Sequence, residues 1–283
     1  MKRAVTLLML VAVMFTAVWP AAAAPSVTKI YMPMVFKTSS GVPSFGTLFG
    51  QVINAVDGTP VAGAELCINF NGITCITSGL DGRYYFFGLS AQAYNMIVNK
   101  TGFQEYTLAS ISVLAGKSTT LDVMLSPQDL AQGAVRIIAT WGRAGANSLV
   151  RDIPSDLDAH LWLNQSSAGH VYYAKPGDCL TACLQNDNQD FGPETLTIQP
   201  GQTGTHTYAV FMNLAQYDGI TYYGVVLQIY DAGGLKQTLT VPAPDPSRTG
   251  GWWRALDFTW DSGQNKYIFN GLTTIQILPP YGF

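Results

Sequence analysis

The residues best suited to chemistry are aspartates in the stretch DIPSDLDAHLWL, residues 152–163. Asp156 and Asp158 precede an apolar run and, in a strand, would share the outer face with Cα atoms about 6.6 Å apart. Two carboxylates at that spacing can converge on one Ca²⁺, whose oxygen ligands lie at about 2.3–2.6 Å. Calcium takes roughly six to eight oxygens, so a site here needs further ligands from elsewhere in the chain.

A second acidic segment, NDNQDFGPE at residues 186–194, could supply those ligands because most of its side chains carry oxygen atoms. Its spacing does not match the ligand positions of an EF-hand loop. Two alternatives stay open: a solvated polar surface, and a catalytic carboxylate pair of the kind that hydrolyses glycosides. The predicted metal ligands are Asp156, Asp158, Asp187, Asp190 and Glu194.

The histidines do not predict a zinc site, although zinc prefers histidine and cysteine ligands. If the chain turns around residues 166–167, His170 lies opposite Leu163 and out of register with His160. We expect His160 at the surface as a partner of a carboxylate or a tyrosine. No Gly-x-Ser-x-Gly or His-Glu-x-x-His motif is present, so neither nucleophilic catalysis nor a zinc protease is indicated.

Tryptophans are the second candidate for ligand contact. Alternation along a strand places Trp162 outside, beside His160, and points Trp252 and Trp253 to opposite faces, so that at most one of these two is in the core. Exposed rings can stack on sugars or anchor a protein partner, which makes Trp162 and Trp253 the possible ligand contacts. The alternative is that these rings pack between domains or under long loops.

The four cysteines form two close pairs and predict two disulfides, since an even number in an exported chain favours pairing. A three-residue hairpin loop with Gly72 in a left-handed conformation would set Cys67 opposite Cys75. A two-residue turn would put them on opposite faces, so we expect the longer loop. A bridge between Cys179 and Cys183 would stiffen the acidic segment that follows it.

The start of the chain predicts export. Lys2 and Arg3 precede an uncharged apolar run over residues 4–18, which is followed by small residues. This pattern is typical of a secretory signal peptide, here residues 1–23, and residues 24–44 then form a linker with a short apolar segment. No later stretch is long and apolar enough for a transmembrane helix, so the mature chain is expected to be secreted or held in the cell envelope.

The remaining sequence indicates an all-β protein. Of 283 residues 48% are hydrophobic and 12% charged, and the net charge of −3 leaves no basic stripe for nucleic acid. From Thr47 onward, short apolar runs alternate with turn signals about every ten residues, without helical periodicity. We predict two consecutive β-sandwiches of transthyretin or immunoglobulin type, residues 45–126 and 133–283, joined by a polar linker at residues 127–132.

The first predicted sandwich resembles a known family. The stretch TCITSGLDGRYYFFGLSAQAYNMIVNKTGFQEY, residues 74–106, is similar to the carboxypeptidase regulatory-like domain. The matched positions are residues 81–84, Leu89, Tyr94 and residues 100–103. Members usually have Pro-Gly before the strand that Tyr94 begins, where this chain has Ala-Gln-Ala. The resemblance covers residues 45–126 and implies a transthyretin-like fold that accompanies enzymes and surface proteins without catalysing a reaction.

The second predicted sandwich resembles the YfaP-like family of bacterial envelope domains over residues 133–277. The matched positions are Trp141, Asp156, Asp158, His160 and residues 192–194. This resemblance implies a β fold and an envelope location, with no established biochemical function.

We therefore predict a non-catalytic binding or scaffolding protein that carries a structural calcium ion and meets a protein or glycan of the cell surface. A carbohydrate-active hydrolase and an adhesion module with exposed aromatic rings are the alternatives. Carboxylates that converge on one point favour the ion site. Carboxylates separated across an open groove lined by Trp162 or Trp253 favour the hydrolase, and a flat apolar patch favours adhesion.

Overall fold

The predicted all-β fold is confirmed by a computed structural model of the chain. The structure describes residues 45–69, 72–141, 156–188, 192–212, 225–242 and 251–282. The predicted signal peptide, the linker of residues 24–44 and the predicted ligand Asp190 lie outside these ranges. Within them the chain forms strands and short 3₁₀ turns, and no helix is long and apolar enough to cross a membrane.

The first sandwich pairs two four-stranded sheets. One has the order β4-β1-β7, with β8 also pairing with β1, and the other has the order β3-β2-β5-β6. Period-2 alternation buries every second side chain, such as Tyr94, Met96 and Val98 of β5, between the sheets. The strands are β1 Phe45–Asn54, β2 Glu65–Asn69, β3 Ile73–Thr77, β4 Arg83–Ser90, β5 Gln92–Asn99, β6 Tyr106–Val113, β7 Ser118–Thr120 and β8 Val123–Leu125.

The second sandwich pairs two five-stranded sheets, with the orders β11-β10-β14-β17-β18 and β12-β13-β9-β15-β16. Its core is one apolar cluster drawn from both sheets, which includes Trp141, Leu161, Leu196 and Trp253. The strands are β9 Val135–Thr140, β10 Leu157–Trp162, β11 His170–Val171, β12 Ala182–Asn186, β13 Glu194–Ile198, β14 Thr205–Met212, β15 Val226–Asp231, β16 Gly234–Thr240, β17 Trp252–Asp261 and β18 Lys266–Gln276.

Both predicted disulfides are present. Cys67 and Cys75 lie directly opposite each other on β2 and β3, and the register leaves a three-residue loop that ends at Gly72, whose φ is +121°. Cys179 and Cys183 join the segment before β12 to its second residue. Disulfides persist in oxidising compartments, so the pairs indicate that the chain folds outside the cytosol.

The segment between β8 and β9 is anchored by one buried arginine. Arg136 of β9 is 1% exposed. Its guanidinium donates to Ser126 Oγ at 3.0 Å and to the Pro127 carbonyl at 3.1 Å, and it pairs with Asp129 at 2.9 Å. The predicted polar linker is therefore held against the second sandwich by fixed hydrogen bonds.

The two sandwiches also meet directly. Ala55 and Met124 of the first pack with Ile138 and Tyr230 of the second in one buried apolar cluster. At its edge the Ala55 carbonyl accepts hydrogen bonds from Asn186 Nδ2 and Thr195 Oγ1. Apolar packing and paired polar groups together make this contact a specific one.

The role of Arg136 can be tested with Arg136→Met. We expect the free energy of unfolding to fall by about 3 kcal/mol, because the buried acceptors at Ser126 and Pro127 lose their donor. Urea denaturation measures the change.

The matched control is Arg83→Met, since Arg83 pairs with Asp81 through side chains that are 63% and 65% exposed. This change is expected to cost less than about 0.5 kcal/mol. Equal losses for the two variants would contradict an anchoring role for Arg136.

Candidate cation site

The candidate site lies where β10 runs without a neighbouring strand on one side. β11 pairs only with Leu161 and Trp162, so the first half of β10 has β14 on one side alone within the described residues. There the backbone N–H of Ala159 donates to Glu194 Oε2, from β13 of the facing sheet. A carboxylate thus accepts from this backbone N–H and links β10 of one sheet to β13, an inner strand of the other.

Glu194 is fully buried, and its second oxygen, Oε1, has no hydrogen-bond donor among the described residues. Burial raises the pKa of Glu194 well above its ordinary value, against the opposing effect of the Ala159 N–H. The negative charges of Asp158 and Asp187 raise the pKa of Glu194 further. An ionised carboxylate in such a place is unfavourable unless a proton or a cation accompanies it.

Three carboxylates meet at this point. One oxygen from each of Asp158, Asp187 and Glu194 lies within 4.8 Å of the other two. Asp158 is 4% exposed, and burial followed by the charges of Asp156 and Asp187 raises its pKa to about 7. Asp187, one residue beyond β12, is exposed. The cluster therefore has two buried members and one that opens to solvent.

Electrostatic repulsion between the three carboxylates favours binding of a proton or a cation by this cluster. Two unit charges about 4 Å apart repel by roughly 4 kcal/mol at an effective dielectric constant near 20. At neutral pH the three groups are relieved either by a shared proton or by a bound cation. Their oxygen-only chemistry matches a hard cation such as Ca²⁺ or Mg²⁺.

Of the predicted ligands, Asp158, Asp187 and Glu194 come together. Asp156 is not one of the three that converge, but it lies close enough for its charge to raise the pKa of Asp158. The expectation that Asp158 lies on an open outer face is wrong, because that face of β10 is covered.

Trp141 supports the chain as it enters β13. Gly192 has a φ of +76°, and a Cβ at this position would come within 3.1 Å of the Trp141 ring. Asn188 Nδ2 donates to the Gly192 carbonyl at 2.9 Å. The backbone just before Glu194 is thus held on an indole ring, which only glycine allows at this distance.

The predicted outside position of Trp162 is wrong, and the alternative that these rings are packed holds for both Trp162 and Trp253. Trp162 is fully buried in a cluster with Trp252, and its Nε1 donates to the Gly282 carbonyl, because the C-terminal segment covers this sheet face. Trp253 is 1% exposed in the main core. Trp252 and Trp253 do point to opposite faces, yet both faces are covered, so both rings are buried and neither predicted contact is open to a ligand.

The predicted separation of the two histidines is also wrong. His160 Nδ1 and His170 Nε2 lie 2.8 Å apart, since His170 pairs with Trp162 and not with Leu163. Two 3₁₀ turns, at Leu163–Gln165 and Ser167–Gly169, shift the register by one residue and move His170 to the face of His160.

This histidine pair is part of a buried aromatic stack. The His170 ring lies 4.3 Å from the Trp162 ring and 4.3 Å from the Tyr172 ring, centroid to centroid. Burial and the neighbouring imidazole lower the pKa of His160 well below its ordinary value. Burial and the charge of Lys175 lower the pKa of His170 to about 4. Both imidazoles are neutral at pH 7, and the predicted surface position of His160 is wrong.

Comparisons with solved structures give only remote similarities. A Bacteroides uniformis protein described as a candidate carbohydrate-binding protein is 8% identical, with a TM-score of 0.27, over 70% of this chain and 99% of that one. A DUF3823 family protein from Bacteroides ovatus is 13% identical, with a TM-score of 0.25, over 71% and 100%. The Corynebacterium diphtheriae major pilin SpaD is 11% identical, with a TM-score of 0.25, over 61% and 62%. At TM-scores this low, the similarities carry no argument about this chain.

Sequence comparison is informative for the first sandwich. No curated protein matches the chain. The YfaP-like resemblance of the second sandwich stays a prediction. The family model of the carboxypeptidase regulatory-like domain matches residues 47–126, which supports the resemblance predicted for the first sandwich.

Proposed function

We propose that this chain is an exported, non-catalytic binding or scaffolding protein whose second sandwich holds a structural calcium ion at Asp158, Asp187 and Glu194. The observation that carries the proposal is the meeting of these three carboxylates within 4.8 Å around a buried Glu194 oxygen to which no described residue donates a hydrogen bond. A cation at this point would supply the missing partner and remove the repulsion.

Calcium suits the site better than zinc or magnesium. All three groups offer oxygen, whereas zinc prefers nitrogen and sulfur. Magnesium demands near-ideal octahedral geometry, and calcium accepts irregular shells that water completes. Glu194 is held in place by the Ala159 N–H, and Asp187 leaves an approach from solvent. Calcium sites in extracellular modules bind at about 10⁻⁴–10⁻³ M, a range that suits an exported protein.

A structural role for the carboxylates is favoured over hydrolysis of a glycosidic bond. A hydrolase needs two carboxylates that both reach the sugar, one on either side of the bond. Glu194 is 0% exposed and Asp158 is 4% exposed, so no sugar ring can pass between them. Trp162 and Trp253, which would have lined a groove for the substrate, are buried as well.

The two disulfides support the export that this function requires. The signal peptide over residues 1–23 and a secreted or envelope location complete the proposal. The expected partner is a protein or glycan of the cell surface.

Thermal melting with Ca²⁺ and with chelator tests the ion site. Ligand that binds only the folded state stabilises it by about 2.7 kcal/mol at a hundredfold excess over Kd. For a chain of this size we expect the Tm to rise by roughly 5–10 °C. Glu194→Gln should abolish this rise and, in chelator near pH 8, should melt no lower than the wild type, because it keeps the Ala159 hydrogen bond and removes a buried charge.

The control for that experiment is Asp261→Asn, which removes a carboxylate from the turn between β17 and β18, at the other end of this sheet from Asp158. This variant should keep the full response to calcium. An unchanged wild-type Tm in about 10 mM Ca²⁺, roughly tenfold above the weak end of the range for extracellular sites, would end the proposal.

The cluster also predicts how stability depends on pH in chelator. The pKa of Asp158 is about 7 in the folded chain against an ordinary value of 3.8, so the folded state keeps a proton that the unfolded state has released. This stabilising contribution is complete below about pH 4 and is lost as pH rises through about 7. Between about pH 5.5 and pH 8 the Tm of the wild type should therefore fall more than that of Asp158→Asn. Parallel curves for the two proteins would show that Asp158 has no raised pKa.

A further inference from the structure

The first sandwich carries a row of exposed aromatic rings that the proposed calcium site does not use. Alternation along β1 and β4 turns Leu48 and Phe86 into the core and turns Phe49, Tyr85 and Phe87 outward. Tyr85 is 44% exposed and Phe87 is 74% exposed, while Phe49 is half-buried. We call Phe49, Tyr85 and Phe87 the aromatic row.

The three rings of the aromatic row are ordered relative to one another. Phe49 and Tyr85 are directly opposite in the β1–β4 pairing, with ring centroids 6.0 Å apart and planes inclined by 9°. Tyr85 and Phe87 are two residues apart on β4, with centroids 5.8 Å apart and planes inclined by 2°. Nearly parallel planes show that the rings form a single surface feature across two strands.

Hydrogen-bonding groups border the aromatic row. The next pair along the same strands is Gln51 with Arg83, and Thr120 of β7 lies beside Phe49. A cavity of about 140 Å³ opens at this border, lined in part by Phe49, Gln51, Arg83, Tyr85 and Thr120. The surface therefore combines exposed aromatic rings with donors and acceptors on the same sheet.

The border of the aromatic row is close to electrically neutral. Arg83 pairs with Asp81 at 3.6 Å, and both side chains are mostly exposed. Asp122 Oδ1 accepts a hydrogen bond from the backbone N–H of Gln51, so this carboxylate is already engaged with the strand. Arg83, Asp81 and Asp122 together leave one net negative charge, so an acidic partner finds no complementary field here and a basic one finds only a single excess charge.

We propose that the aromatic row binds a neutral polysaccharide. A sugar ring has an apolar C–H face that packs on an aromatic ring, and a periphery of hydroxyl groups that needs hydrogen-bond partners. The row supplies the first. Arg83, Thr120 and the side-chain oxygen of Gln51 supply the second, since Gln51 Nε2 already donates to the Asp81 carbonyl at 2.7 Å. A protein surface docked on the row would need to leave these polar groups unpaired or match each of them.

The strand that carries Phe49 is held firmly. Gly50 lies against the carbonyl of Leu121 so closely that any side chain at this position would overlap it. The Phe49 carbonyl in turn accepts from the Leu121 N–H at 2.8 Å. A rigid platform loses little conformational freedom when a ligand binds, which favours affinity at a shallow surface.

Binding to polysaccharides tests the proposal directly. The purified protein is run in native gels that contain soluble xylan, mixed-linkage β-glucan or amylose, and is incubated with microcrystalline cellulose. We expect retention on at least one of these neutral polymers, with affinity reduced about tenfold in Tyr85→Ala and in Phe87→Ala. Phe87→Trp keeps an aromatic face and should retain binding.

The matched control is Ile97→Ala, which removes an exposed apolar side chain, 43% accessible, from the other sheet of the same sandwich. This variant should bind like the wild type. Sedimentation velocity of each protein tests the competing occupant, a second copy of the chain.

Three results would overturn the proposal: no retention on any of the four polymers, wild-type affinity in both alanine variants, or a wild-type dimer that Phe87→Ala converts to a monomer. The calcium melt tests residues of the other sandwich, so either idea can fail while the other stands.

Discussion

The buried carboxylate of Glu194 is the interaction on which the second sandwich most depends. It accepts the Ala159 N–H and so joins the edge of one sheet to a strand of the other. The next residue, Thr195, points the opposite way and bonds to the Ala55 carbonyl of the first sandwich. Glu194 and Thr195, adjacent on β13, thus stabilise the interior of the second sandwich and its contact with the first. Because a buried charge is costly, this arrangement requires a proton or a cation at the same place.

The groups that hold the fold together lie apart from the surface that we propose for binding. The contact between the sandwiches, the Arg136 anchor and the carboxylate cluster all lie on or beside strands of the second sandwich. The exposed aromatic row lies on the outer face of the first sandwich, a domain type that the sequence comparison supports. A scaffold that presents a recognition surface from a rigid base is consistent with both proposals, and a firm joint between the sandwiches would hold that surface in one orientation.

The sequence pattern alone was sufficient to predict those structural features that depend on a single physical rule. Alternation predicted the all-β fold, and the cysteine spacing selected the three-residue loop because only that register puts Cys67 opposite Cys75. Oxygen-rich composition predicted five ligands, of which Asp158, Asp187 and Glu194 come together. The same rules failed for Trp162 and His160, since alternation assigns a side chain to a face of the sheet and cannot say whether that face is later covered. The aromatic row follows the alternation of β4, but that pattern alone does not show that its outer face stays uncovered.

By itself the sequence determined the strand periodicity, the disulfide pairs and the acidic character of the site, because each depends on spacing within one or two adjacent strands. Only the tertiary structure decided which faces are buried, since the segment ending at Gly282 returns to cover Trp162 from far along the chain. It also decided the register of His170, which two short turns shift by one residue. The tertiary structure also brought Glu194 to the side of β10 that has no strand partner at Ala159 among the described residues, because that meeting depends on how the two sheets pack and not on any local pattern.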